Sequence, residues 1–308
     1  MEPEETVANM LVAVTGSTGL IGSALVSSLV GDGHDVLRLT RSPSPGPGAA
    51  RWDPAGGTID SEALSKADAV VHLAGRSIAA LRWTPKVKRE ILSSRTQGTR
   101  LLAEAMAGLP DGPRVLVTAS GINFYGDRGD EVLTETSPGG SGFLADVCRQ
   151  WEGAADPARA AGIRTVHVRT GFVQTPRAGV LPRLLPLFRV GLGGRFGSGR
   201  QWWSWVTLDD VVGIYRHAVT ASAVGGALNA TAPNPVTNAE FTATLARVVG
   251  RPALLPVPSF GPKLLLGQMA DELLFASARV HPAATQSSGY SFRHPTLEAA
   301  LRHLLSRP

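Results

Sequence analysis

The chain has 308 residues, 43% of them hydrophobic and 18% charged, with a formal net charge of +5. That length buries a sizeable core, while no uninterrupted apolar stretch spans a bilayer and the one cysteine, Cys148, excludes internal disulfides and a cysteine zinc cluster. The positive charge is spread along the chain without a dense basic block with interleaved aromatics, so nucleic acid is not an expected partner.

Residues 1–9 read as a disordered extension, too acidic and polar for a secretory leader, and Met10 as an alternative start. A cytoplasmic, reducing setting is expected. Leu11–Val14 is a short apolar run, and Gly16, Gly19 and Gly22 follow it at three-residue intervals. A helical pattern begins near Leu20 and runs to Val30. Strand, glycine turn and helix start in that order build a dinucleotide phosphate cradle. Missing side chains admit the pyrophosphate to the backbone, and the helix N-terminus offers it free N–H groups.

Asp35–Thr40 is a second strand, followed by a proline- and glycine-rich loop and a short strand around Arg51–Asp53. Ala69–Leu73 and Arg114–Ala119 are buried strands on either side of a long helix, Pro85–Ala107. Phe143–Ala161 reads as a helix kinked or broken near Pro157, and Arg164–Val168 as a further strand. Strands separated by helix-length crossovers predict an α/β fold: a Rossmann-like, doubly wound parallel sheet. After Gly171 regular alternation is lost. Helices are predicted over Thr207–Val219, with Thr207 and Asp210 as a capping box, and over Asn238–Gly250 with an asparagine cap. The tail carries an apolar Leu264–Phe275 helix and a final Leu297–Leu305 helix. The organisation expected is a dinucleotide domain over 10–170 and a smaller, partly discontinuous substrate lobe over 171–308, with 205–232 returning in part to the first domain.

The end of the second strand selects the dinucleotide. An acid there accepts from the adenosine ribose and repels a 2′-phosphate, whereas arginine does the reverse. Thr40, Arg41 and Ser42 stand there, without an acid. Arg41 is the candidate for the 2′-phosphate, and NADP(H) is the expected cofactor. The seven histidines contain no HExxH or comparable close pair, so no metal is expected.

TGSTGLIG at 15–22, HLAG at 72–75, TASGINFYG at 118–126 and SWVTLDDV at 204–211 resemble the NAD(P)-dependent epimerase/dehydratase branch of the extended short-chain dehydrogenases/reductases. RWTPKVK, SRTQGT, GLGGRFGSGRQWWSWVTLDD and LNATAPNPVTN are similar to a poorly characterised epimerase subfamily, as is the C-terminal PVPSFGPKLLLGQMADELL. The resemblance spans residues 10–305. It implies that Gly16, Ser17, Thr18, Gly19, Leu20, Ile21 and Gly22 wrap the pyrophosphate. It places Leu73, Ala74 and Gly75 beneath the ribose and nicotinamide. Ala119 and Ser120 then flank the nicotinamide, and residues 170–173 line the site. It also implies a homodimer.

The chemistry departs from that branch. Its Tyr-x-x-x-Lys pair puts a phenol and an ammonium on one helical face for proton transfer. Four residues beyond Tyr125, Tyr215 and Tyr290 stand Gly129, Val219 and His294. Matching FLADVCRQWE to the helix in question puts Leu144 and Cys148 at the two positions, with Cys148 read as a small buried hydrophobe. Trp203 stands where related enzymes carry an arginine for a sugar nucleotide's phosphate, which argues against such a substrate. Trp202 and Trp203 read as an aromatic pocket or an interface core. Ser120 and Tyr125 are the candidate catalytic hydroxyls. Arg82, Trp83 and Lys86 follow HLAG and either face an anionic or carbonyl substrate or begin a solvated helix. The Asp209–Asp210 pair is better explained by capping than by catalysis. The function expected is an NADPH-dependent oxidoreductase acting on a small, rather apolar carbonyl or enone. The alternatives are a cofactor-retaining epimerase or dehydratase and a non-catalytic NADPH-responsive binding module.

Overall fold

The computed structural model describes residues 9–79 and 82–306, so the expected extension lies, apart from Asn9, outside the described residues. An eight-stranded sheet organises the chain. Its strands are β1 (Leu11–Thr15), β2 (Asp35–Thr40), β3 (Ala49–Asp53), β4 (Thr58–Ile59), β5 (Ala69–His72), β6 (Val115–Gly121), β7 (Arg164–Thr170) and β8 (Gly226–Ala230). Their spatial order is β8-β7-β6-β5-β1-β2-β3-β4. Every neighbouring pair is parallel except β3 and β4. The chain runs outward from β1 to β4 and then returns to β5 on the other side of β1. That reversal opens a crevice at the carboxyl ends of β1 and β5, where α/β proteins bind ligands.

Strand alternation decides which residues face which helices. Val12, Val14, Val71 and Val117 pack with Leu25, Val26 and Leu29 of helix α1 (Leu20–Gly31). Ala13, Val70 and Leu116 point the other way, onto Leu102, Ala103 and Met106 of α2 (Pro85–Ala107). Both faces are covered, so these strands read as continuous apolar runs. Helix α3 (Phe143–Gly153) ends before Pro157, and the chain re-enters a helical turn at Asp156–Ala160 with the proline in its first turn. Proline is tolerated there because that position needs no N–H partner.

The second lobe is built around Trp203 and Trp205. Helices α4 (Leu181–Arg189), α6 (Asn238–Val249) and α7 (Leu297–Ser306) bury Leu184, Phe188, Phe241, Leu245, Leu301 and Leu304 against them. Between α4 and α6 the chain crosses back. Helix α5 (Leu208–Thr220) packs on α1, held also by an Arg216–Asp32 ion pair at 2.6 Å, and β8 completes the sheet beside β7.

Four local expectations change. At α5 Thr207 accepts from Asp210 N, but Asp210 accepts from the Thr207 hydroxyl rather than its N–H, so the capping box is half formed. The cap of α6 is Thr237, not Asn238: its hydroxyl accepts from Glu240 N while Glu240 returns to Thr237 N, a full capping box. The expected Leu264–Phe275 helix is broken at Gly267, whose φ of +58° no helical residue adopts. Helix α4 forms inside a stretch rich in proline and glycine, with Pro182 in its first turn, because its leucines and Phe188 fill the lobe core.

Candidate functional site

The glycine turn is tight for identifiable reasons. Gly16 adopts φ +66°, and a Cβ there would meet the Leu73–Ala74 peptide at 2.9 Å. A Cβ at Gly22 would overlap the Gly16 carbonyl oxygen, so this glycine sets how closely α1 packs on the turn. Gly19 caps α1 without a side-chain hydrogen bond, and no acidic residue occupies the helix's first turn. Its own missing side chain leaves the approach to the first N–H groups open. Ser17 is partly exposed and Thr18 exposed on the same turn.

The turn after β5 is fixed from below. Thr15 Oγ1 accepts from Leu73 N at 3.2 Å and Ala74 N at 3.3 Å, so its own hydrogen goes to His72 Nδ1 at 2.7 Å. Burial, reinforced by the charge of Arg95, pushes His72 down to about 3, which keeps it neutral and an acceptor at Nδ1. Gly75 lies beside Arg95: a Cβ there would come within 3.5 Å of its side chain.

A cavity of about 790 Å³ joins the two lobes across this crevice. Gly16, Gly19, Leu20, Ile21, Gly22 and Leu73 line its end at the glycine turn. Ala119, Ser120 and Gly121 at the end of β6, with Thr170–Val173 after β7, line its middle. Leu144, Val147 and Cys148 form one wall, while Leu184, Phe196, Leu266, Met269 and Leu273 close the far side. The surface is mostly apolar, and among its described residues only Arg95 and Arg183 carry charge. Burial weakens the proton affinity of Arg95, whose guanidinium lies 4.9 Å from the Trp151 ring and donates to the carbonyls of Arg76 and Ile91. Burial pushes the Cys148 thiol up to about 11, so it is neutral at physiological pH.

A buried polar chain runs from the cavity into the protein. Ser120 Oγ donates to Glu152 Oε1 at 2.7 Å, and Arg169 grips the same carboxylate through Nε at 2.9 Å and Nη2 at 2.8 Å. Arg169 also donates to the Tyr125 hydroxyl at 3.1 Å, which itself donates to Asn229 Oδ1 at 2.8 Å. Burial opposes the charge of Glu152, but the hydrogen bonds and charge of Arg169 outweigh it and hold the carboxyl below its ordinary range. The same pairing raises Arg169 against its own burial cost. Ser120 is therefore the cavity end of an ionised, satisfied network. Tyr125 is fully buried within it and does not line the cavity.

The remaining sequence candidates are distributed differently. Arg41 is exposed just beyond β2. Arg82 donates to the carbonyls of Leu264 and Leu265, tying the loop after β5 to the C-terminal segment. Trp83 is buried against Phe143, its Nε1 donating to Ile78 O at 2.9 Å. Trp203 is 1% exposed, packed between Phe172, Phe196 and Phe241. Trp202 donates to Asp130 and lies under Arg279. None of these five side chains lines the cavity; Trp83 and Trp203 are core, and Trp202 is half-buried.

Tyr215 on α5 was not among the sequence candidates. It lines the cavity and is fully buried, with the Thr170 side chain beside its hydroxyl. Only its place seven residues beyond Leu208 on a helix facing α1 brings it there, and no lysine spacing marks it. Arg95, Glu152 and Arg169 also escaped notice, because each gains its meaning from contacts with other elements of the fold.

The chain matches the NAD dependent epimerase/dehydratase family over residues 12–230 and a domain of unknown function (DUF1731) over 257–304. It is 42% identical to the epimerase family protein MT2273 of Mycobacterium tuberculosis, covering 98% of this chain and 99% of that one. The crystal structure of the human epimerase family protein SDR39U1 (isoform 2) with NADPH aligns with a TM-score of 0.87 and 37% identity, over 97% of this chain and 100% of that one. A structure described as a nucleoside-diphosphate sugar epimerase, from Corynebacterium glutamicum, aligns with a TM-score of 0.81 and 40% identity, over 97% of this chain and 58% of that one. With this fold, glycine turn and C-terminal segment, the chain belongs to the NAD-dependent epimerase/dehydratase family, in the SDR39U1-like group of epimerase family proteins that carry a C-terminal DUF1731 domain.

Proposed function

We propose that this protein is an NADPH-dependent oxidoreductase that reduces a small, largely apolar carbonyl or enone compound. The observation that carries this reading is the apolar cavity. It runs from the glycine turn to the second lobe, with Leu144 and Cys148 where the family's proton-transfer pair would stand. The residues fit the cofactor. The start of α1 is uncapped by side chains and free of acids, and Gly16 and Gly22 leave no room for a Cβ. Arg41 would pair with the 2′-phosphate, and the NADPH in the human relative's crystal supports that choice.

When bound, NADPH would supply the hydride. Ala119, Ser120 and Gly121 would support the face on which the substrate lies, and Leu144, Val147 and Met269 would offer it apolar surface. Ionised Glu152 draws the Ser120 hydrogen away from the cavity, so Ser120 presents lone pairs there. It holds a donor, such as a water, in place, and the proton that completes reduction comes from solvent. An enone, protonated at carbon, suits this arrangement better than a substrate that needs a strong acid. Incubation with NADPH and a panel of enones and apolar aldehydes is expected to consume cofactor. In D₂O the product should carry one solvent deuterium. No oxidation above background across the panel would overturn the reading. In that case the second reading gains: a non-catalytic NADPH-responsive binding module, favoured by the commitment of both Ser120 and Tyr125 to internal partners.

A further inference from the structure

We infer that Asp209, His294 and His303 form a site for a divalent transition-metal ion of the zinc class, outside the lining of the cofactor cavity. Their donor atoms all lie within 4.8 Å of one another. Asp209 Oδ2 is 3.9 Å from His294 Nε2 and 3.6 Å from His303 Nε2. The two imidazoles stack at 4.4 Å with a 33° tilt, so their Nε2 atoms converge on one carboxylate. His303 Nε2 is shielded from solvent and has no hydrogen-bond partner, an arrangement that proteins avoid unless the atom has another use. Zinc bonds of about 2.0–2.1 Å set tetrahedral ligand atoms roughly 3.3 Å apart. The two distances from Asp209 exceed that spacing by about 0.6 and 0.3 Å. Two imidazoles and one carboxylate suit zinc, cobalt or nickel better than calcium or magnesium, with water completing the coordination.

The scaffold holds the three side chains together. Thr207 caps α5, so Asp209 sits in its first turn. The neighbouring Asp210 accepts from Arg293 N at 2.7 Å and His294 N at 3.1 Å, which sets His294 beside Asp209. His303 projects from α7, whose Leu301 and Leu304 are anchored in the lobe core. Ligands thus come from α5, the loop after it in space, and α7. The ion would clamp the C-terminal helix onto the start of α5, a structural role independent of substrate chemistry. None of the three lines the cavity.

The test uses the full chain, stripped with a chelator and titrated calorimetrically with Zn²⁺, with Co²⁺ as a spectroscopic probe. The expected result is one equivalent bound, visible Co²⁺ absorption of a low-coordinate site, and a rise in Tm on adding zinc. His303→Asn and Asp209→Asn, each checked for native circular dichroism, should each weaken zinc at least about tenfold and abolish the rise in Tm. NADPH affinity should stay unchanged. No stoichiometric binding, or equal affinity in the wild type and both variants, overturns the site.

Discussion

At the scale of single residues, Gly22 has no alternative. A Cβ there would overlap the Gly16 carbonyl oxygen, and the neighbour is backbone that cannot swing aside. Gly22→Ala should cost about 1–3 kcal/mol and abolish NADPH binding, read by thermal unfolding and calorimetry. Unimpaired NADPH binding by that variant would mean that the turn does not hold the cofactor. Arg41 is the opposite case, an exposed side chain whose loss leaves the fold untouched. Arg41→Ala should weaken NADPH about ten- to a hundredfold, the worth of roughly 1.5–3 kcal/mol for a charged hydrogen bond, and leave NADH nearly unchanged. Equal losses for both nucleotides would assign the 2′-phosphate elsewhere. The sequence proposes Arg41 for this role because an acid is missing at the end of β2 and an exposed strand end has few competing roles. Trp203 was not, because an aromatic side chain in a loop serves a pocket or a core equally well until its neighbours are known. Here they are Phe172, Phe196 and Phe241.

At the scale of elements, α5 does more than its sequence suggests. Thr207 accepts from Asp210 N at 3.1 Å, as a capping box requires, but Asp210 does not return to the backbone of Thr207. Its carboxylate accepts from Arg293 N, His294 N, the Tyr290 hydroxyl and the Thr207 hydroxyl. Asp210→Ala leaves several buried donors unpaired, each costing about 1–3 kcal/mol. The expected outcome is a large fall in stability, with faster proteolysis of the segment around residue 293 than of the sheet. Helix α3 shows a second kind of dependence. Leu144 and Cys148, one turn apart, face the cavity, while Glu152, a turn further on, faces Arg169. Glu152→Gln strands a buried guanidinium and should cost about 3–5 kcal/mol. Chemical denaturation measures it, and a loss below about 1 kcal/mol would show the pair to be dispensable.

At the scale of the whole molecule, buried neutral histidines make the fold sensitive to acid. Burial first, aided by Arg95, lowers His72 from 6.5 to about 3, and burial lowers His167 to about 4 against the pull of Glu152. The unfolded chain binds these protons more readily, so the stabilisation is complete above pH 6.5 and is lost as pH falls towards 4. Each histidine contributes about 1.4 kcal/mol per pH unit across that window. Glu152, with its lowered pKa, adds a loss of the same sign at lower pH. Denaturation midpoints should therefore fall steadily from pH 7 to pH 5, and a flat profile would contradict the burial of both rings. The sequence alone determined six of the eight strands, the helices that cover the sheet and the glycine turn, but neither β4 nor β8. Those depend on local patterns: apolar alternation along β1, β5 and β6, and glycines at positions where neighbouring backbone leaves no space. Tertiary structure alone decided that Ser120 points its hydrogen at Glu152, that Tyr215 reaches the cavity and that Asp209 meets His294 and His303. Such contacts join segments far apart in the chain, and only the packing of elements against one another fixes which side chains come within a few ångströms.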